Sequence, residues 1–451
     1  MNASRLYFVT KNQFLLQTLA EFVSHTYNFY TGELAIYLDT ANIIQGMERL
    51  QAYKYELMPN GEQVRAMRKF SGSCRFVYNK ALALQKDNHE AGNKFIGYVA
   101  MAAKLPVWKR EAETKWLKET PSQALQHALK DLENAFKGFF AKRTGFPRFK
   151  KKGSGDSFRY PEPKQIKLDQ SNNRILLPKL GWLRYRNSRE ALGQVRNVTV
   201  SQSGGKWFVA IQTQREIEQP LPTSTTAIGI DVGIARFATL SDGSYIAPLN
   251  SFKKHQQRLA RYQRRMSRKQ KFSNNWKKAK AKVQKIHTAM ANARKDFLHK
   301  TSTTISQNHA LVCIEDLQVK NMSRSAKGNR EQHGKRVKQK SGLNRAILDQ
   351  GWGEFRRQLD YKVQWNGGIL LAVPPQQTSQ LCPSCGHISK ENRQTQAKFL
   401  CVGCGYENHA DVVGAINVLE RGYRLLARRE SVQSDHSMKQ EPTEVTQAAF
   451  A

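Results

Sequence analysis

Ala227-Ile228-Gly229-Ile230-Asp231-Val232-Gly233 reads as a short buried strand with a carboxylate at its end. Just before it, Pro220 and Pro222 with Thr223-Ser224-Thr225-Thr226 mark a linker. Just after it, residues 237–249 (FATLSDGSYIAPL) read as a hairpin turning at Asp242-Gly243. Two long helices follow, over roughly 249–271 and 274–304, broken near Ser273-Asn274-Asn275. In the second, Trp276, Ala279, Val283, Ile286, Met290, Ala293 and Phe297 recur at spacings of three and four, which gives one apolar face. Seventeen Lys or Arg lie between 251 and 300 against one acid, Asp296, so the other face is a basic track. Residues 310–315 (ALVCIE) form a second buried strand that ends in Glu315. A basic, glycine-containing loop spans 321–341, a helix 344–365 and a strand 369–373. A last helix over 410–427 opens with Asp411, and the polar residues 428–451 are expected to be disordered.

The first half of the chain is organised differently. Residues 1–46 hold only Arg5 and Lys11 as bases, against Glu21, Glu33 and Asp39. Basic residues dominate from Met47 onward, so Met47 suits a natural start and 1–46 an atypical, dispensable extension. The alternative is a helical N-terminal arm. Residues 50–58 alternate like a strand, and Pro59-Asn60-Gly61 turns the chain. Residues 61–143 carry helical periodicity, and 144–160 form a Gly-rich basic loop. Residues 164–220 read as several short strands (IKLD, RILLP, VRNVTVS, KWFVAIQTQ), which with 50–58 could close a small β-barrel.

A chain of 451 residues is too long for one ordinary core, and two to four domains are expected. Its 73 Lys and Arg against 36 Asp and Glu leave a net charge of +37. A surface this basic repels itself unless a polyanion neutralises it, and nucleic acid is the usual polyanion. The charge is not confined to one amphipathic helix, which argues against a membrane surface. No apolar run approaches the roughly 20 residues of a membrane span. Residues 14–23 are broken by Gln17 and Glu21, so they make a poor signal peptide. The cytoplasm is the expected compartment, and six cysteines there argue against a disulfide framework. Cys74 and Cys313 stand alone in apolar surroundings and read as small buried hydrophobes.

The other four cysteines form a pattern. Cys382-Pro-Ser-Cys385 and Cys401-Val-Gly-Cys404 are separated by fifteen residues. Each Cys-x-x-Cys turn presents two sulfurs to one ion, and the spacing matches a structural zinc ribbon. Gly386 and Gly405 follow each pair, where the turn needs freedom in φ. His387 and His409 are close by but are not needed as ligands.

Asp231, Glu315 and Asp411 are each ambiguous alone. A strand-end acid is often a simple cap, and actin-like ATPases use a similar Asp-x-Gly turn. Their order carries more weight. A nuclease of the RNase-H-like class places one carboxylate on its first strand, one on a later parallel strand and one on its last helix. Magnesium prefers oxygen ligands, and two ions about 4 Å apart need several carboxylates.

With these residues in place, the region from about 50 to 425 resembles the TnpB (OrfB) proteins of bacterial insertion sequences, relatives of compact type V CRISPR effectors. The residues that carry the likeness begin with Tyr53-Lys54-Tyr55, Pro59-Asn60 and Cys74-Arg75-Phe76-Val77-Tyr78-Asn79. Gly145-Phe146-Pro147-Arg148-Phe149-Lys150, Gly229 to Gly233 and Ile314-Glu315-Asp316-Leu317 continue it. Thr378-Ser379-Gln380 runs into the first knuckle, and Asp411 and Gly414 to Leu419 complete the set. The family often has Asn where this chain has Val413, and 1–46 has no counterpart in it.

The resemblance implies a multidomain α+β protein. A β-barrel wedge (47–60 and 144–220) would carry a helical recognition region (61–143). An RNase-H-like RuvC domain (221–380 and 406–427) would carry an inserted zinc ribbon (381–405). It further implies a magnesium- or manganese-dependent endonuclease that uses a transposon-derived guide RNA. Such an enzyme cuts matched double-stranded DNA beside a short motif, as a monomer on each RNA. Asp231, Glu315 and Asp411 would hold two catalytic magnesium ions, and the cysteines one zinc. Lys54, Arg75, Tyr78, Arg148, Lys150, Lys151 and Lys152 are candidate nucleic-acid contacts, since bases beside aromatic rings suit backbone contact with stacking. Two other functions stay open: a nuclease-inactive RNA-guided regulator and an accessory transposase. Single-strand transposases with a tyrosine nucleophile need a His-x-His pair, and the eleven histidines contain none.

Overall fold

The structure is a computed structural model that describes residues 47–218, 220–329 and 331–437, with side chains to residue 427. The expectations for 1–46 and 438–451 lie outside the described residues. The described chain forms two compact units that divide near residue 218.

The first unit opens with β1 (Met47–Met58), whose alternating burial matches its alternating sequence. Asn60 caps the 30-residue α1 (Gly61–Glu90) in a reciprocal capping box with Gln63. Short α2 (Tyr98–Ala102) and α3 (Leu105–Arg110) lead to α4 (Ser122–Phe140), which packs along α1. Six strands complete the unit: β2 (Ser157–Tyr160), β3 (Lys167–Asp169), β4 (Arg174–Leu177), β5 (Gly181–Tyr185), β6 (Gln194–Ser203) and β7 (Lys206–Ile217). Tyr53, Tyr55, Val209 and Ile211 of the sheet share one core with Phe70, Val77, Leu125 and Leu129 of the helices.

The expected β-barrel does not close. The sheet runs β2-β6-β7-β1-β5-β4-β3, and its edge strands β2 and β3 do not pair with each other. β1 pairs with β7 from Met47 to Glu56, then turns to β5 through Leu57 and Met58 alone. The chain between the two edges contains Pro161 and Pro163, which have no N–H to give a ladder. A side-chain bond, from the Tyr160 hydroxyl to the Pro178 carbonyl at 3.0 Å, spans that side instead.

The second unit is built on β8 (Ala227–Val232), β9 (Ala238–Leu240) and β10 (Tyr245–Ile246). The turn at Asp242-Gly243 forms as expected, with Gly243 at φ +88°. Helices α5 (Ser251–Ser267) and α6 (Asn274–Asn308) pack into a hairpin, and β11 (Leu311–Glu315) follows. Next come α7 (Val319–Met322), α8 (Val337–Gln350), α9 (Trp352–Trp365) and β12 (Ile369–Val373). The single helix expected over 344–365 is two helices, because Gly351 takes φ +77° and breaks the ladder. Short β13 (Lys398–Leu400) and β14 (Glu407–His409) pair beside the cysteines. The last helix, α10 (Ala410–Ser437), runs on through 428–437, part of the tail expected to be disordered.

The sheet order is β10-β9-β8-β11-β12, with β8, β11 and β12 parallel. α10 lies across β8 at very close range. A Cβ on Gly229 would stand 2.1 Å from the Ala415 carbonyl oxygen, and one on Gly422 would stand 2.1 Å from Cys313 Sγ. Cys313 is buried as expected, and so is Cys74 in the first unit. No helix among the described residues is long and apolar enough to cross a membrane.

Candidate functional site

β8 and β11 run parallel with Ile230 beside Ile314. The next residue on each strand is therefore an acid, Asp231 or Glu315, on neighbouring strands about 5 Å apart. Asp411 sits in the first turn of α10. The glycines that let α10 settle on the sheet bring this turn over the strand ends. Gly414, one turn on, leaves room for Asp231, whose Oδ2 would be 2.9 Å from a Cβ there.

Asp231 senses the other two carboxylates. Burial first, then Glu315 and Asp411, push the Asp231 carboxyl up to about 8, while Arg393 pulls the other way. Burial also raises Glu315, opposed by its hydrogen bond from Thr378 and by Arg421 and Arg393. The Thr378 hydroxyl donates to Glu315 Oε1 at 2.6 Å. Asn417 Nδ2 of α10 donates to the carbonyls of Thr378 (2.7 Å) and Leu381 (2.8 Å), fixing the segment that carries Thr378. Arg421 donates to the Pro374 and Gln376 carbonyls of the same segment. Arg393 Nη2 reaches Asp411 Oδ1 at 3.5 Å. Three carboxylates in a half-buried cluster, with one arginine on an edge, are an oxygen-rich set short of positive charge. The chemistry of that donor set suits hard divalent cations, although among the described residues only the four cysteines bring their ligand atoms within 4.8 Å of one another.

The sulfurs of Cys382, Cys385, Cys401 and Cys404 lie within 4.8 Å of one another. Cys382–Cys404 and Cys385–Cys401 stand at 3.7 and 3.6 Å. A tetrahedral zinc with sulfurs at about 2.3 Å has sulfur–sulfur edges of about 3.8 Å, so the set fits. The two knuckles match: Gly386 N–H donates to the Cys382 carbonyl and Gly405 N–H to the Cys401 carbonyl, with φ at +75° and +76°.

The cysteine unit is joined to the carboxylates at three points. β14 passes directly into α10, and the Asp411 N–H donates to His409 Nδ1. Ala410 and Val413 pack against Cys382, Phe399 and Cys401. Val413, the departure from the family pattern, is thus a core residue of this junction. Buried Asn392 donates to the Gln380 and His387 carbonyls and accepts from the Val402 N–H, and it holds the neighbouring Arg393 toward Asp411. Arg393, Asn392 and Arg421 were missed as site residues in the sequence, whereas Thr378 and Asn417 lie in the quoted motifs.

The candidate nucleic-acid residues are scattered over the first unit. Arg75, Lys150 and Lys151 line one cavity of about 140 Å³. Arg75 is paired there with Asp156 at 2.8 Å, and Lys150 Nζ lies 4.1 Å from the centre of the buried Tyr78 ring. Arg148, Lys151 and Lys152 are exposed, and Lys54 lies over the Phe208 ring.

An α+β protein with acids at two neighbouring strand ends and the start of its last helix, beside a four-cysteine cluster, is the class the geometry defines. Comparison with known proteins gives the family. A model described as "Probable transposase" (OrfB) matches residues 197–326, and one described as "Cas12f1-like, TNB domain" matches 352–418. A third, described as a helix-turn-helix domain, matches 47–94, although these residues form β1 and the unbroken α1. The chain is 58% identical over 402 residues to "Putative RNA-guided DNA endonuclease InsQ" of Escherichia coli (strain K12), spanning 89% of this chain and 100% of the relative. It is 34% identical to "Putative RNA-guided DNA endonuclease" of Streptomyces pristinaespiralis, over 88% of this chain and 97% of the relative. A solved Cas12f1–sgRNA–target DNA complex overlaps 83% of this chain and 98% of its own at TM-score 0.48 and 12% identity. The chain belongs to the OrfB (TnpB-like) family of insertion-sequence proteins.

Proposed function

We propose that this chain is an RNA-guided DNA endonuclease with a RuvC-like site. It would cut DNA matched to a transposon-derived guide, next to a short motif that the protein reads. The observation that carries the reading is the convergence of Asp231, Glu315 and Asp411 from two adjacent parallel strands and the first turn of the last helix. The relatives' names and the sheet order, with antiparallel β9 leading three parallel strands, support it. So does the net charge of +37, which suits a protein that grips a guide–target hybrid by its backbone. In this reading 47–60 and 144–220 are the wedge, 61–143 the recognition region, 221–380 and 406–427 the nuclease domain, and 381–405 the ribbon.

The three carboxylates would hold two magnesium ions, which when bound supply Lewis-acid activation of the attack and stabilise the departing oxygen. The protein's own part is arrangement. Thr378 fixes which way Glu315 Oε1 faces. The close seat of α10 sets the reach of Asp411, and Arg393 offsets part of the negative charge before metal enters. The cysteines would hold one structural zinc, with no position left open for chemistry.

Asp231→Ala tests the reading. With guide RNA and magnesium present, wild type is expected to cut matched DNA, while the variant binds RNA normally and does not cut. Cutting by the variant would sink the assignment. A wild-type protein that binds matched DNA without cutting would favour the inactive regulator.

A further inference from the structure

Between Ser251 and Lys282 the chain carries thirteen Lys or Arg and no Asp or Glu. The α5–α6 hairpin occupies this stretch and closes on its own small core of Leu259, Val283, Ile286 and Met290, flanked by Phe252, Tyr262 and Met266. That core stops short of the tip. At the tip, Phe272 is 66% exposed and its backbone sits at φ +71°. A bulky aromatic rarely adopts this conformation, and such strain persists where the surroundings hold it. The Ser273 side chain caps α6 by accepting from the Trp276 N–H at 3.1 Å, which fixes the turn. The Phe272 and Trp276 rings are 5.5 Å apart at 59°. Lys271 Nζ lies 5.3 Å from the Phe272 ring and Lys280 Nζ 5.1 Å from the Trp276 ring.

We propose that this tip is a nucleobase-stacking platform, with Phe272 and Trp276 receiving unpaired bases and Lys271 and Lys280 taking the adjoining phosphates. Phe272 stands clear of the hairpin's core, against the half-buried Trp276, and no core packing calls for its strained backbone. Aromatic rings set among cations, in a stretch from Ser251 to Lys282 without Asp or Glu, match the flat faces and charged backbone of a single strand. An acidic protein partner would meet the charge but would not need paired rings flanked by lysines. The bases could belong to RNA or to DNA, since every base has a stacking face. The proposal rests on the nucleic-acid reading above and adds a site to it.

The test uses the full chain and short single strands carrying one 2-aminopurine, in an RNA arm and a DNA arm. Stacking should quench the probe in at least one arm, and that arm identifies the strand. Phe272→Ala with Trp276→Ala should weaken binding about tenfold and abolish the quench. Phe272→Tyr with Trp276→Phe should retain both. Phe272→Gly relieves the positive φ, so it should melt no lower than wild type yet bind as weakly as a Phe272→Ala chain. Lys271→Gln with Lys280→Gln should flatten the salt dependence and keep the quench. Wild-type quench and affinity in the double alanine variant would overturn the proposal, as would the absence of any quench in wild type. Cleavage of matched DNA by wild type is read separately. If it cuts and the tip does not quench, only the tip inference falls; if the tip quenches without cutting, only the nuclease reading falls.

Discussion

Asp231→Asn should stabilise the metal-free protein while destroying cleavage. Burial and the charges of Glu315 and Asp411 push the Asp231 carboxyl from an ordinary 3.8 to about 8. A carboxyl raised in this way holds its proton more tightly folded than unfolded. The stability this contributes is complete below pH 3.8 and is lost as pH rises toward 8. Asparagine has nearly the same shape and carries no charge, so its advantage is small near pH 4 and grows through neutrality. At pH 7 the group stands about 3 pH units above its ordinary value, and each is worth about 1.4 kcal/mol, for a ceiling of about 4 kcal/mol. Water entering the half-open cluster lowers this to roughly 1–3 kcal/mol, several degrees of Tm for a unit of this size.

The assay is thermal unfolding of chelated protein from pH 5 to 8, repeated with magnesium. Asp231→Asn should melt above wild type at pH 7.5, and the gap should narrow toward pH 5. Magnesium should raise the wild-type Tm by relieving the same repulsion, and raise the variant's much less. A variant that melts at or below wild type throughout would show that Asp231 is not a buried carboxyl facing Glu315 and Asp411. Equal stabilisation of both proteins by magnesium would show the same.

Three further outcomes follow from the packing. Gly229→Ala places a methyl 2.1 Å from the Ala415 carbonyl oxygen, so α10 must lift from β8; stability should fall by about 2 kcal/mol or more in denaturant melts, with cleavage lost as well. Gly414→Ala meets the Asp231 side chain first, at 2.9 Å from Oδ2, so the Tm should barely change while cleavage falls about tenfold through displacement of the proposed ligand. Cys382→Ser should lower bound zinc below one per chain by elemental analysis and impair cleavage, because Ala410 and Val413 pack on that sulfur cluster beside Asp411. Wild-type cutting by Cys382→Ser would refute the coupling and leave the zinc site standing.

The places of Asp231, Glu315 and Asp411 at the ends or starts of elements were legible in the sequence, because apolar patterning identifies those elements; the metal-binding role given to them belongs to the proposed function. Parallel register then does the rest, since Ile230 and Ile314 stand side by side. The cysteine ribbon was legible because metal geometry restricts ligand spacing whatever fold surrounds it. Strand closure was not. Whether β2 and β3 meet depends on how β1 turns from β7 to β5 over two residues, and no periodicity records that turn. The break at Gly351 was hidden for a related reason: helical periodicity continues across it, from Ile347 to Phe355 and Leu359.

Arg393 is the most instructive omission. In a chain with 73 Lys and Arg, one more arginine in a polar loop carries no signature. Its position is set by its neighbour. Asn392 is fully buried, and its amide makes three hydrogen bonds to the backbone around both knuckles. Those bonds tie together the two knuckles that carry the four cysteines. The cation nearest Asp411 is therefore placed by the ribbon and not by the sheet that supplies Asp231 and Glu315. Loss of the ribbon would displace Arg393 together with the start of α10, taking away a ligand and the charge that offsets the other two at once. Asp411→Asn, by contrast, would remove a ligand and leave Arg393 in place. Zinc loss should accordingly reduce cleavage at least as much as Asp411→Asn does; a smaller effect would mean that α10 holds its own start without the ribbon.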